Sequence, residues 1–199
     1  MEMEPKKVGF ALTGSFCTFS QVVRAIELLA EHGWDVTPIM STASRNTDTR
    51  FGKATDFVGK IEAICAKPMI ASIAAAEPIG PKKLFDVLVV APATGNTLAK
   101  IAAGIADTPV TLAVKSHLRN NRPVVLAVST NDGLGANAAS IGRLLARKYL
   151  YFVPFGQDDP AEKPNSLVAD FGKIEETITA ALENRQLQPL LMRESVQVH

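Results

Sequence analysis

Four short segments of this 199-residue chain are rich in hydroxyl and amide side chains: Thr13-Gly14-Ser15, Ser41-Thr42, Thr94-Gly95-Asn96-Thr97 and Ser129-Thr130-Asn131. Each begins where an apolar run ends. Loops of that kind stand at the carboxyl edge of a parallel sheet, where open α/β folds bind ligands. Together they offer many neutral donors and few charges, and helix starts add N–H groups with positive partial charge. A phosphate suits such a lining, and so does a polar heterocycle such as an isoalloxazine ring. The competing reading is that these residues only cap helices; that explains any one loop more easily than four at one edge. Within Val87–Thr97, a purely apolar run meets Pro92, and Gly95 is expected to let the backbone come close to a ligand.

Other nucleotide signatures are missing. Gly9-Phe10-Ala11-Leu12-Thr13-Gly14-Ser15 lacks the three spaced glycines of a dinucleotide fingerprint, and no Gly-x-x-x-x-Gly-Lys-Ser occurs. A mononucleotide therefore fits better than NAD. Arginines suggest a second ligand, because guanidinium groups grip carboxylates in a bidentate fork. Arg45 and Arg50 follow the second strand, and Lys115, Arg119 and Arg122 precede the fourth. Arg50, then Arg45 and Arg119, are the candidates to anchor a small dicarboxylate; a solvated charge is the alternative for each. Cys17 reads as a buried, inert thiol. His32, His117 and His199 have no ligand spacing, and Asp158-Asp159 reads as a solvated turn, so no metal is expected.

The elements that position these loops alternate. Strands are expected at Val8–Leu12, Trp34–Met40, Leu84–Ala91, Pro123–Val128 and Tyr151–Pro154. Helices are expected at Gln21–His32 (N-cap Ser20, end Gly33), Thr55–Cys65, Thr97–Ile105, Thr111–Leu118, Asn137–Lys148 and about Leu167–Asn184. That order implies an α/β fold, a doubly wound parallel sheet flanked by helices, with residues 1–199 as one domain. The tail from about 188 to 199 is expected to be loose or exchanged between subunits.

Composition narrows the classes. Hydrophobic residues make up 47% of the chain, which fits a sheet buried on both faces or apolar subunit contacts. A net charge of +1 gives no footprint for nucleic acid or an anionic membrane. Two cysteines, Cys17 and Cys65, cannot build a disulfide framework, and Val8–Leu12 is too brief for a signal segment. A cytoplasmic protein is the expectation.

Ala91-Pro92-Ala93-Thr94-Gly95-Asn96-Thr97, continuing through Lys100-Ile101-Ala102-Ala103-Gly104-Ile105-Ala106-Asp107, resembles the central motif of the homo-oligomeric flavin-containing cysteine decarboxylase family. Thr13-Gly14-Ser15-Phe16 resembles its first phosphate-side loop, and Ser129-Thr130-Asn131 stands where a later loop carries an asparagine. Further strings resemble one sporulation branch of that family: Asn46-Thr47-Asp48-Thr49-Arg50-Phe51-Gly52, Arg119-Asn120-Asn121-Arg122-Pro123 and Phe155-Gly156-Gln157-Asp158-Asp159-Pro160.

The resemblance implies a flavodoxin-like Rossmann fold, FMN, and a homo-oligomer built of trimers. It implies oxidation of a small cyclic dicarboxylate to an aromatic pyridine ring in the mother cell of a sporulating bacterium. It also implies a separate partner subunit that carries the NADP site. By this likeness Thr13, Gly14, Ser15, Phe16, Ser41, Thr42, Thr94, Gly95, Asn96, Thr97, Ser129, Thr130 and Asn131 would contact the cofactor. Asn96 and Arg50 would be catalytic. Departures from the family pattern disfavour cysteine decarboxylation: Ser41–Gly52 holds no histidine, Thr94-Gly95 replaces Ser-Ala, and Val128 and Thr130 replace a proline and a methionine. A decarboxylase or prenyltransferase-like flavoprotein and a non-catalytic stabilising partner stay open as alternatives.

Overall fold

Apolar runs build the centre of the sheet. In the computed structural model, which describes residues 4–192, β1 (Lys7–Leu12), β3 (Val87–Ala93) and β4 (Val124–Thr130) are buried along almost their whole length. Such continuous runs suit strands covered on both faces. With β2 (Asp35–Met40), β5 (Leu150–Phe152), β6 (Phe155–Gly156) and β7 (Leu167–Ala169), they form one sheet in the order β2-β1-β3-β4-β7-β6; β5 also pairs with β4.

β1, β2, β3, β4 and β5 pair in parallel, as expected for a doubly wound sheet. The chain departs from a purely parallel sheet at β7, which runs antiparallel to β4 and β6. A helix was expected from Leu167. Instead β5 spans only Val124–Leu126 of β4, and Leu167-Val168 pairs with Ser129-Thr130 beyond it. The final helix, α8, therefore starts late and covers Ile174–Leu182.

Helices cover both faces. α1 (Phe19–Glu31) buries Phe19, Val22, Val23, Ile26 and Leu29 along one stripe. Ile26 is fully buried, so truncating it to alanine costs about 2–5 kcal/mol. The predicted Ser20 cap lies inside the helix, because the N-cap is Thr18; its hydroxyl donates to the Ser15 carbonyl at 2.9 Å. α3 (Ala54–Cys65) and α8 pack beside α1. On the other face lie α4 (Ile73–Ala76), α5 (Gly95–Ala103), α6 (Pro109–Arg119) and α7 (Ala138–Leu145). A short α2 (Thr42–Asn46) stands inside the loop expected after β2.

β1 feeds a helix on one face and β3 feeds helices on the other. This reversal is the switch point where open α/β sheets form a ligand crevice. The expected loose tail is tied down at its start: the Phe155 N–H donates to the Leu190 carbonyl, and the Met192 N–H donates to the Phe155 carbonyl, both at 3.0 Å. Residues 193–199 of that tail lie outside the described residues. No described helix is long and apolar enough to cross a membrane.

Candidate functional site

All four hydroxyl-bearing loops reach the carboxyl edge of the sheet, but they line two hollows. A hollow of about 540 Å³ is lined by Thr13, Gly14, Ser41, Thr42, Thr94, Asn96, Thr97, Lys100, Asp107, Thr108 and Thr111. Its neighbour, about 370 Å³, is lined by Gly14, Ser15, Phe16, Cys17, Arg50, Phe51, Thr94, Gly95, Ser129, Thr130 and Asn131. Gly14 and Thr94 belong to both, so the hollows meet at the switch point. Both volumes lie in the usual range for small-molecule sites, about 300–1,000 Å³.

Several hydroxyls predicted to face a cofactor are committed to the fold. Thr13 is 2% exposed; its Oγ1 donates to the Pro92 carbonyl at 2.6 Å and accepts from the Thr94 N–H at 3.2 Å, tying β1 to β3. Thr94 caps α5 by accepting from the Thr97 N–H at 3.3 Å, and its own hydroxyl donates to Thr97 Oγ1 at 3.0 Å. Ser41 caps α2 through the Ser44 N–H at 3.3 Å. Thr130 Oγ1 donates to Asp132 Oδ1 at 3.0 Å. A hydroxyl has a single hydrogen to donate, so Thr13, Thr94 and Thr130 have none left for a ligand. These residues shape the hollows from behind.

Other groups stay available. Ser15 and Ser129 share one hydrogen bond of 2.7 Å, and Ser15 Oγ also bonds Cys17 Sγ at 3.7 Å. Thr42, Asn96 and Asn131 are exposed. Gly14 is exposed, and a Cβ there would make only ordinary contact with Phe16 and Ser44, from 3.7 Å. Gly95 lines the smaller hollow and also has a packing purpose. A Cβ there would stand 2.4 Å from Asn137 Nδ2 and 2.7 Å from Thr130 Oγ1, so glycine makes room for the loop after β4.

Charge divides the two hollows. In the larger one, Lys100 Nζ and Asp107 Oδ2 are 2.7 Å apart, and the hydrogen bond from Lys100 holds the Asp107 carboxyl below its ordinary pKa. Thr108 beside them closes a reciprocal capping box with Thr111 at the start of α6. Sequence reasoning did not single out these four as site residues, although the Thr108-Pro109-Val110-Thr111 spacing carries a helix-start signal. Among the described residues, the smaller hollow is lined by one cation, Arg50, and no carboxylate.

The other arginines are not brought there. Arg45 is exposed on α2 and lines neither hollow. Arg119 ends α6, which runs from the carboxyl edge back to the amino edge, and its guanidinium lies beside Gly80. Within one chain it is not brought to the hollows at the carboxyl edge. Asn96 and Arg50, expected to act together, sit in different hollows on either side of Gly14 and Thr94. Cys17 is exposed rather than buried. No group of three or more metal-ligating side chains occurs among the described residues.

The chain is similar to several known proteins. The family model described as Flavoprotein matches residues 1–143. The dipicolinate synthase B subunit of Bacillus subtilis (strain 168) is 47% identical over 190 residues, covering 96% of this chain and 95% of that one. The crystal structure of the dipicolinate synthase B subunit from Bacillus halodurans superposes with a TM-score of 0.89 at 47% identity, covering 98% of this chain and all of that one. The FMN-dependent cysteine decarboxylase SpaF shares the fold, with a TM-score of 0.66 at 21% identity over 91% of this chain and 97% of its own. With a matching family model over most of its length and relatives alike from end to end, the chain belongs to the Flavoprotein family.

Proposed function

We propose that this chain is the FMN-binding B subunit of a dipicolinate synthase. Acting with a separate A subunit that carries NADP, it would serve the oxidation of dihydrodipicolinate to dipicolinate in the mother-cell cytoplasm of a sporulating bacterium. The observation that carries the reading is the pair of hollows meeting at Gly14 and Thr94, one rich in neutral donors and one where Arg50 has no carboxylate beside it among the described lining residues. The 47% identity to two dipicolinate synthase B subunits supports it.

The residues fit FMN. Gly14 is exposed at the rim, and the first turn of α5, where Thr94 caps the Thr97 N–H, offers the Gly95 and Asn96 N–H groups. Gly14, Ser15, Phe16, Thr42, Ser129 and Asn131 are the residues that would hold it. When bound, FMN supplies a two-electron acceptor. The chain's own part is placement: Arg50 anchors a substrate carboxylate, and Asn96 hydrogen-bonds from the neighbouring hollow. Conversion of the dihydro ring to pyridine removes a hydride and a proton, and FMN, or nicotinamide on the A subunit, would supply the acceptor for the hydride.

The whole chain would form one flavoprotein unit in a trimer-based homo-oligomer. Exposed Ile105, Leu134 and Leu145 supply apolar surface for subunit contacts. The internal commitment of Thr13, Ser41 and Thr94 favours a second reading, a partner that stabilises the A subunit without a cofactor. The absorbance spectrum of the purified chain, alone and with the A subunit, separates the two. A yellow protein that releases FMN on denaturation supports the proposal. A colourless protein that takes up no FMN yet raises the activity of the A subunit contradicts it.

A further inference from the structure

Three charged side chains line the two hollows among the described residues: Arg50 in the smaller, and Lys100 and Asp107 in the larger. With Arg50 set to hold a substrate carboxylate, Lys100 is the cation left for a second anionic group. It follows Asn96 by one turn of α5, and both line the same wall. Side chains on a helix lean toward its N-terminus, so the Lys100 stem is carried back toward the open N–H groups of Gly95 and Asn96.

Two helices start at this hollow. α5 presents Thr94, Asn96 and Thr97 to it, and α6 presents Thr108 and Thr111. Each helix brings about half a positive elementary charge to its first turn. The wall therefore favours an anion. The anion beside Lys100 is the chain's own Asp107 carboxylate, with Oδ2 2.7 Å from Nζ.

That carboxylate is easily given up. Its side chain is 52% exposed, so solvent screens the pair and rehydrates the carboxylate when it turns away. The start of α6 does not depend on it, because Thr108 and Thr111 cap each other next door. Lys100 spends one of its three hydrogens on Asp107, which leaves two for another acceptor. A phosphate monoester carries nearly two charges and three strong acceptor oxygens, so it competes for an ammonium better than one solvated carboxylate.

We infer that Lys100 is the phosphate anchor of the larger hollow, and that Asp107 is its internal counter-ion, displaced when a ligand phosphate arrives. This rests on the FMN reading above and on the assignment of Arg50 to the substrate.

The test is a titration of the purified chain with FMN and with riboflavin, read by flavin fluorescence. The two share ring and ribityl chain and differ in the phosphate. Wild type should prefer FMN. Lys100→Gln should cut that preference about 10- to 100-fold, the worth of charge-assisted bonds, with riboflavin affinity unchanged. Lys100→Arg should keep most of it. Asp107→Asn should act in the opposite sense, tightening FMN by about twofold to fivefold with riboflavin unchanged, because the competing carboxylate is gone. A gain of that kind cannot come from misfolding. Were the pair only a tie between α5 and α6, its loss would lower stability and leave the preference alone. An intact preference in Lys100→Gln, or FMN bound no more tightly by Asp107→Asn, overturns the inference.

Arg50→Gln keeps the two proposals apart. If it removes the preference and Lys100→Gln does not, the phosphate lies in the smaller hollow; FMN binding stands and this inference falls. If wild type takes up neither flavin, the cofactor reading itself fails, and this inference with it.

Discussion

At the amino edge of the sheet, Arg122 donates to the carbonyls of Phe85 and Lys83 and pairs with Asp86 at 3.8 Å. Nearby, Asn120 Nδ2 donates to the Gly80 carbonyl at 2.9 Å, and His117 Nδ1 lies 3.3 Å from the Pro123 carbonyl. At the carboxyl edge, Arg50 rests on an aromatic ring, and Asn96 and Asn131 face solvent. The same residue types occur at both edges. At one they satisfy the chain itself, and at the other they are left for something else. Residue type therefore says less about function than whether the side chain's hydrogen-bonding capacity is already taken.

Four substitutions sharpen that contrast. Arg50→Ala should lower kcat/KM of the reconstituted enzyme roughly 10- to 100-fold, the worth of charge-assisted bonds to a carboxylate, with the melting temperature unchanged. Steady-state kinetics beside a thermal melt reads both; equal kcat/KM would remove Arg50 from the site. Arg122→Ala should behave in the opposite way. Loss of the guanidinium leaves the Phe85 carbonyl short of its donor, so denaturant unfolding should show about 2–3 kcal/mol of lost stability, with turnover per folded molecule preserved.

His117 gives a pH signature to the amino edge. Burial pushes its pKa down to about 4 from an ordinary 6.5, and its Nε2 has no hydrogen-bond partner among the described residues. The imidazole is neutral in the fold, while the unfolded chain binds a proton below pH 6.5. Stability is therefore complete above pH 6.5 and falls as the pH drops toward 4, by on the order of 2 kcal/mol at pH 5. His117→Phe, stacking on Phe85 as the imidazole does, should flatten the slope of melting temperature between pH 7 and pH 5. An unchanged slope would assign it to other groups. Asp107→Asn should have the smallest effect. Asp107 is half-exposed, so solvent screens its pair with Lys100, and losing it should show as no more than a small shift in urea midpoint.

The strands at the centre were legible because Val8–Leu12, Val87–Ala91 and Val124–Val128 are apolar without interruption, a pattern that a two-sided parallel sheet requires. β7 was not. Leu167-Val168-Ala169 is too short to show a period of its own, and what makes it a strand is Ser129-Thr130, far away in sequence. The placement of the four loops followed from the strand ends. The commitment of their hydroxyls did not, since Thr13 finds its acceptor in Pro92, 79 residues on. The position of Arg119 was within reach: a helix that starts beside the ligand edge carries its last turn to the opposite one.

A crystal structure of the purified chain soaked with FMN tests the central claim most directly. The account predicts difference density at the carboxyl edge, running past Gly14 and Thr94 between the two hollows. Density at the amino edge, or none anywhere at saturating FMN, would contradict it.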